Sequence, residues 1–233
     1  MFGRYTLNNF SISLENFRAE IKKFDNTYIY LREGSERVEK AILGDAVEIV
    51  VNPVEPVNLP KNITNYLMIE FRRKILLEPG REDYFYVTFP IEIGVFVVKS
   101  KEVGLVDIFS FLKPKYTLYG NPDQGVICRY WLSEVYDRIP ELDKVREGIV
   151  ELRITNQSEK WVEISKVVFD VYTMHIYYND RMSFASAYMK VLSSKLAEAE
   201  FLESSFEGER SIELYTTKAF QVVGRKFVLE WGI

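Results

Sequence analysis

The stretch that decides the fold is residues 83–131, which contains DYFYVTFPIEIGVFVV (83–98) and VGLVDIFSFLKPKYTLYGNPDQGVICRYW (103–131). Its first residues alternate, with Phe85, Val87 and Phe89 on one side of the chain and polar or tyrosine side chains on the other. This period of two is typical of a β-strand with one dry face. Residues 95–98 are apolar on both sides, which is typical of a strand covered on both faces.

The rest of the chain repeats this pattern. Short alternating segments, such as residues 17–22 and 150–154, recur between turn signals at roughly ten-residue spacing, as they do in β-sandwiches. Strands and helices do not alternate along the sequence, which argues against a parallel α/β sheet. We therefore predict an all-β fold of two consecutive antiparallel β-sandwich modules, immunoglobulin-like or jelly-roll-like, with little helix.

The boundary between the two modules is predicted at the most polar passage of the chain, SEVYDRIPELDKVREG, residues 133–148. A new alternating pattern starts directly after it. We accordingly assign residues 1–138 to an N-terminal β-sandwich module, residues 147–233 to a C-terminal β-sandwich module and residues 139–146 to the linker.

Two local features can also be predicted in the second half. The inward-facing positions change parity between Ile164 and Val167, so one extra residue, a β-bulge, is expected near Ser165. Residues 195–206 fit both a strand alternation and a helical stripe. We favour a strand there because the neighbouring segments are strands.

Composition limits the classes of function. Hydrophobic residues at 47% and charged residues at 27% are ordinary for a folded protein. The net charge of −4 argues against nucleic-acid binding, because phosphate recognition needs a basic surface. No apolar run approaches the roughly 18 residues that membrane insertion needs, and the N-terminus has no signal-peptide pattern. We expect a cytoplasmic protein, and its many Lys and Glu residues with few Gln suggest a thermostable one.

Cys128 and His175 are each the single residue of their type, so no intrachain disulfide forms. Cys128 lies in GVICRYW, among apolar and aromatic residues, and is predicted to be a buried and unreactive thiol. His175 lies between aromatic residues in YTMHIYY and is predicted to be packed or at a sheet edge. Nucleotide-binding and nucleophile-elbow motifs are absent, so we expect no cofactor, no metal site and no identifiable catalytic residue.

Several longer motifs resemble one known family. They are PVEPVNLP at 53–60, FPIEIGVF at 89–96, KPKY at 113–116, GVICRYW at 125–131 and KFVLEWG at 226–232. Together they resemble the archaeal family known as domain of unknown function 432, and the resemblance covers essentially the whole chain. It implies an archaeal source and no established activity, and it carries over no catalytic residues.

Two glutamates lie where solvation is expected to be poor. Glu55 and Glu92 each sit among prolines and apolar residues. Burial disfavours the charged form of a carboxyl group and raises its pKa, so these residues are candidates for the carboxylate pair of glycoside chemistry. The alternative is that each pairs with an arginine or lies at a sheet edge.

Residues 113–125, KPKYTLYGNPDQG, form the loop with the most functional side chains. Proline-stiffened segments at 52–60, 89–92 and 113–122 interrupt strands within one module, so we expect them to gather at one end of the sandwich. This predicts a ligand-binding site made of Glu55, Glu92, Lys113, Lys115, Tyr116, Tyr119, Asp123 and Arg129. The alternative is a well-packed connection whose tyrosine hydroxyls cap backbone groups.

These observations favour a non-catalytic binding or assembly module, whose partner is an unknown protein or a small polar ligand. The alternative function is a carboxylate-dependent hydrolase that acts on a sugar or another polar substrate. A chain with many sheet edges must protect them, and pairing across a two-fold axis does so, which makes a homodimer an expected state.

Overall fold

The computed structural model describes residues 1–14, 16–25, 27–44, 47–214 and 226–233, and its regular secondary structure is almost entirely β-strand. The first ten are β1 (Gly3–Thr6), β2 (Ser11–Leu14), β3 (Phe17–Phe24), β4 (Thr27–Glu33), β5 (Val38–Ile42), β6 (Glu48–Val54), β7 (Tyr66–Leu77), β8 (Glu82–Pro90), β9 (Glu92–Lys99) and β10 (Glu102–Phe109). The others are β11 (Tyr116–Tyr119), β12 (Val126–Ser133), β13 (Glu147–Asn156), β14 (Val162–Asp170), β15 (Tyr177–Tyr178), β16 (Ser183–Val191), β17 (Ala197–Leu202), β18 (Glu209–Arg210) and β19 (Phe227–Leu229). Two 3₁₀ helices, Leu7–Asn9 and Val171–Thr173, are the only helical segments in those ranges.

One compact unit consists of Met1–Asn52 and Ile93–Phe109. It contains a sheet of order β1, β6, β9, β10 and a second sheet of order β2, β3, β4, β5. The sheets meet where Phe17 of β3 packs against Phe109 of β10, with ring centroids 4.5 Å apart. Packing of two sheets through apolar side chains is the arrangement of a β-sandwich.

The other unit consists of Pro53–Glu92 and Ser110–Ile233. One of its sheets has the order β11, β12, β7, β14. The second has the order β18, β15, β16, β13, β8, with β17 beside β16 and β19 beside β17. Aromatic pairs join the two sheets, including Phe169 of β14 and Phe201 of β17, whose centroids are 4.5 Å apart. This unit is also built as a sandwich.

The prediction of an all-β, sandwich-like fold with little helix is confirmed. Most strand pairs are antiparallel, but β12 pairs with β7 in parallel, and β13 pairs with β16 in parallel. The partners in each parallel pair are far apart in sequence, so long connections rather than hairpins set their relative direction. No helix in the described part of the chain is long and apolar enough to cross a membrane.

The division of the chain differs from the predicted modules 1–138 and 147–233. Strand β8 pairs with β13, and β7 pairs with β14, so both pairs join strands on opposite sides of residues 139–146. Tyr136 also forms a bridge with Tyr86 of β8. The polar passage therefore connects strands within one unit. Its polarity reflects exposure, whereas the pairing of distant strands leaves no local signal in composition.

Local predictions in the second half are confirmed. The register between β14 and β7 shifts between Ile164 and Lys166, which places a bulge or irregularity at Ser165. The ambiguous segment 195–206 contains the strand β17. Close packing also explains Gly148, because a Cβ added there would lie 2.4 Å from the ring of Phe89.

Candidate functional site

Glu55 lies directly after β6, in a tight turn whose conformation buries its side chain. Its backbone carbonyl accepts hydrogen bonds from the N–H of Val57 (2.9 Å) and from Nδ2 of Asn58 (2.6 Å). The carboxyl oxygen Oε2 accepts a long bond from the N–H of Leu214, at 3.4 Å. The residue is 2% exposed, and this burial raises the pKa of Glu55 to about 8, with a further rise from nearby Glu213 and Glu92.

Glu92 is the first residue of β9 and is completely buried. Its carboxyl group caps the same turn, since Oε2 accepts from the N–H of Asn58 (2.9 Å) and Oε1 from the N–H of Leu59 (3.3 Å). Burial raises the pKa of Glu92 to about 7, although these hydrogen bonds and the positive charge of Arg129 oppose the rise. The two glutamates are thus held on one turn as weak acids.

Arg129 of β12 provides the positive charge. It is 2% exposed and is the register partner of Tyr116 in β11. Its guanidinium carbon lies 5.8 Å from the centre of the Tyr116 ring, and the Tyr116 hydroxyl donates to the carbonyl of Leu59 at 2.9 Å. Among the residues that the structure describes, Nε and Nη1 of Arg129 are buried and have no hydrogen-bond partner. We call Glu55, Glu92, Tyr116 and Arg129 the acid–arginine cluster.

The other four predicted site residues lie outside this cluster. Lys113, Lys115 and Asp123 are exposed. Tyr119 is buried, but its hydroxyl donates to the carbonyl of Gly232 and accepts from the N–H of Trp231, both at 3.0 Å. Residues three apart on a strand point to opposite faces, which is why Tyr119 does not accompany Tyr116.

Sequence reasoning missed the backbone donors of the cluster. The N–H groups of Asn58, Leu59 and Leu214 hold the two carboxyl groups, and backbone groups carry no residue-type signal. The prolines of PVEPVNLP were the available indication that this segment forms an irregular turn.

A second group of charged side chains surrounds the single histidine. Nδ1 of His175 lies 2.7 Å from Oε1 of Glu213, and Nε2 lies 3.3 Å from Oε1 of Glu203. Arg210 contacts both carboxylates, at 2.9 Å from Glu213 and 3.4 Å from Glu203. His175, predicted to be packed or at a sheet edge, is therefore part of a network of polar contacts with Glu203, Glu213 and Arg210.

The single cysteine is buried, as predicted. Burial raises the pKa of the Cys128 thiol to about 12, so the reactive thiolate is scarce at neutral pH. In the described part of the chain, no group of three or more His, Cys, Asp or Glu side chains is arranged to hold a metal ion.

Comparison with known proteins gives one result. The model of a family described as "Protein of unknown function (DUF432)" matches residues 1–230. No curated protein and no solved structure matches the sequence. No relative therefore assigns a role to any residue, and function has to be inferred from the geometry of the cluster.

Proposed function

The chain belongs to the DUF432 family, and from its acid–arginine cluster we propose that it is a non-catalytic binding module for a small anionic ligand. The observation that carries this proposal is the buried guanidinium of Arg129, whose Nε and Nη1 have no partner among the described residues. A buried donor without an acceptor is costly, and the cost is larger for a charged group. A ligand that brings a carboxylate or phosphate oxygen would satisfy these donors.

The two glutamates determine the net charge that such a ligand meets. Because burial raises the pKa of Glu92 to about 7 and that of Glu55 to about 8, both are largely protonated in mildly acidic solution. The cluster then carries the positive charge of Arg129 alone. A protonated carboxyl group can also donate a hydrogen bond to an anion, as in other sites where an apolar environment keeps an acid neutral.

Hydrolysis by this carboxyl pair is the weaker hypothesis. A glycosidase needs one protonated acid and one ionised carboxylate, so the two environments must separate the two pKa values. Here burial raises both pKa values, and both oxygens of Glu92 already accept backbone hydrogen bonds. These features support a binding role more than a catalytic one.

Calorimetric titration with inorganic phosphate, sulfate, acetate and succinate tests the proposal, with a thermal-shift screen as a first step because a ligand that binds the native state raises Tm. We expect at least one anion to bind at pH 6 and Arg129→Met to weaken that binding by at least about tenfold. The matched control is Arg138→Met, because the Arg138 side chain is 87% exposed. Failure of all four anions to bind, or equal affinity in Arg129→Met, would overturn the proposal.

The burial of the acid–arginine cluster predicts that an anion associates with it slowly. The unpaired nitrogens of Arg129 are buried, so an anion reaches them only after local opening of the surrounding chain. Association that requires a conformational change is slower than ordinary diffusional binding. Stopped-flow measurement should therefore give an association rate constant below about 10⁵ M⁻¹s⁻¹.

Four expectations from the sequence stay predictions. They are a cytoplasmic location, an archaeal source, thermal stability and assembly into a homodimer. Light scattering tests the last of these, since a dimer has twice the 27.3 kDa of the chain.

A further inference from the structure

A groove on the solvent-facing side of the sheet that contains β8, β13 and β16 leads to an inference beyond the proposed anion site. The groove encloses about 280 Å³ and is lined by Tyr84, Glu151, Arg153, Ser186, Ala187, Leu202, Glu203 and Ser205. Small-molecule sites typically enclose about 300–1,000 Å³, so this groove lies just below that range and suits a small ligand such as a single sugar ring. We propose that it is a binding site for a neutral sugar.

Strand register brings the lining residues to one face. Tyr84 of β8 lies opposite Arg153 of β13, which in turn lies opposite Tyr188 of β16. In the next row of the same face, Glu151 of β13 lies opposite Ser186 of β16. Direct cross-strand partners point the same way, so the rows form a continuous polar and aromatic surface.

The carboxylate of Glu203 is fixed in place at the groove. Its Oε2 accepts from the Tyr177 hydroxyl at 2.6 Å, while Oε1 lies 3.4 Å from Nη1 of Arg210 and 3.3 Å from Nε2 of His175. The hydrogen bond from Tyr177 is the largest influence that lowers the pKa of Glu203, so this group is an acceptor at neutral pH. Its side chain is still 64% exposed, which leaves it accessible to a ligand.

The groove also contains a hydrogen-bond donor, Arg153, and a second acceptor, Glu151. Arg153 is held over the ring of Tyr188, with its guanidinium carbon 5.2 Å from the ring centroid. Glu151 accepts from the Tyr86 hydroxyl at 3.4 Å, and Ser186 donates to the hydroxyl of Ser204 at 2.9 Å. The groove therefore offers a ligand fixed acceptors at Glu151 and Glu203 and a fixed donor at Arg153.

The pattern of charge and exposure favours a sugar over an ion. Two carboxylates and one guanidinium line the groove, so neither a simple anion nor a simple cation is complemented throughout. A sugar carries several hydroxyl groups, each of which donates to a carboxylate and accepts from an arginine. Tyr84 is 59% exposed and presents an aromatic surface on which the C–H face of a sugar ring packs.

Titration with glucose, galactose, mannose, N-acetylglucosamine, cellobiose and chitobiose tests the inference, monitored by calorimetry and by amide chemical shifts in NMR. We expect at least one sugar to bind saturably below about 10 mM. Tyr84→Ala and Glu151→Gln should each weaken that sugar at least about tenfold. The control is Trp161→Ala, which removes another aromatic ring of similar exposure, 57%, outside the groove lining.

The outcomes separate this inference from the anion proposal. Arg129→Met should leave sugar affinity unchanged, because Arg129 does not line the groove. The inference is overturned if no sugar in the panel saturates, if either groove variant binds as tightly as the wild type, or if Trp161→Ala weakens binding equally. Circular dichroism of each variant confirms that the strands are intact before its affinity is used.

Discussion

Two buried arginines in this protein have opposite surroundings. Arg32, in the first unit, is 5% exposed and its Nε donates to Oδ2 of Asp107 at 2.6 Å. Oδ2 of Asp107 also accepts from the Tyr30 hydroxyl at 2.9 Å, and Oδ1 accepts from the N–H of Ile108. Arg129, in the second unit, is 2% exposed, and its Nε and Nη1 have no partner among the described residues.

This difference indicates that the charge of Arg32 stabilises the fold, whereas the charge of Arg129 is available to a ligand. Arg32 has a carboxylate in direct contact, and that carboxylate is itself fully hydrogen-bonded, so the pair is complete within the fold. Near Arg129 the acid Glu92 is committed to backbone donors and has a raised pKa because it is buried. We conclude that Arg32 belongs to the scaffold and that Arg129 is available to a ligand.

The largest expected effect on stability comes from breaking the buried pair between Arg32 and Asp107. Asp107→Asn keeps the shape of the side chain but leaves Arg32 as an uncompensated buried charge. Breaking a buried pair by removing one partner destabilises a protein by about 3–5 kcal/mol. Urea unfolding at neutral pH should show this loss in the free energy of unfolding.

The matched control is Glu39→Gln, which removes one partner of the exposed pair between Arg37 and Glu39. Exposed pairs contribute about 0–1 kcal/mol, so this variant should unfold almost as the wild type does. A loss below about 1 kcal/mol in Asp107→Asn would contradict the description of Arg32 as a structural charge.

The next effect is on pH dependence. Burial raises the pKa of Glu92 from its ordinary value of 4.5 to about 7, so below pH 4.5 both the native and the unfolded states hold its proton. Between pH 4.5 and about 7 the unfolded state releases that proton first, and stability falls as pH rises. The shift corresponds to a loss of about 3 kcal/mol above pH 7.

Glu92→Gln isolates this contribution, because a glutamine does not ionise. The variant should lose stability less steeply than the wild type over that pH window and should be the more stable protein at pH 8. Glu55 acts in the same direction, up to about pH 8, and remains in both proteins. Parallel curves for the two proteins would show that Glu92 is not held as a weak acid.

A smaller effect is expected for Arg129→Met. Replacing a buried ionic group by an apolar residue of similar volume is often neutral or stabilising, and Nε and Nη1 of Arg129 have no hydrogen-bond partner among the described residues that the substitution would leave unsatisfied. Urea unfolding in the absence of added anions should give a change within about 1 kcal/mol. If Arg129→Met lowered the free energy of unfolding as much as Asp107→Asn does, both arginines would be structural charges. That result would contradict the distinction drawn between Arg32 and Arg129.

The smallest effect concerns the thiol next to Arg129. Cys128 is completely buried and burial raises its pKa to about 12, so a thiol reagent should modify the native protein slowly and the unfolded protein fully. Labelling should therefore follow the opening of the structure around β12. Rapid labelling of the native protein at neutral pH would contradict this burial.

The sequence predicts much of the fold and names all four residues of the acid–arginine cluster, together with four residues that lie outside it, for identifiable physical reasons. Alternation and its change of parity are local, so the strands and the bulge at Ser165 could be predicted. Proline-rich segments marked the turn that holds Glu55 and Glu92. Arg129 was included because of its nearness to the loop, and the lack of a partner for its Nε and Nη1 among the described residues could be seen only in the structure.

The parts that were missed depend on pairing between distant segments. The parallel pairs and the division into units follow from which strands lie side by side, and composition does not record that. The groove could not be predicted for the same reason, because Tyr84, Arg153 and Tyr188 come together only through the register of three strands. Tyr119 is different, because its odd spacing from Tyr116 on a strand was a readable signal.

The most direct test of the central claim observes Arg129 itself, through the Nε–Hε signals of the arginine side chains in NMR. The Arg129 signal is assigned by its absence from Arg129→Met. Titration at pH 6 with the anion that binds most tightly should shift this signal saturably, with the same Kd as calorimetry gives, while the signal of Arg32 stays in place. If the Arg129 signal does not move at saturation, or if all arginine signals drift together without saturation, the anion does not bind at Arg129 and the claim is contradicted.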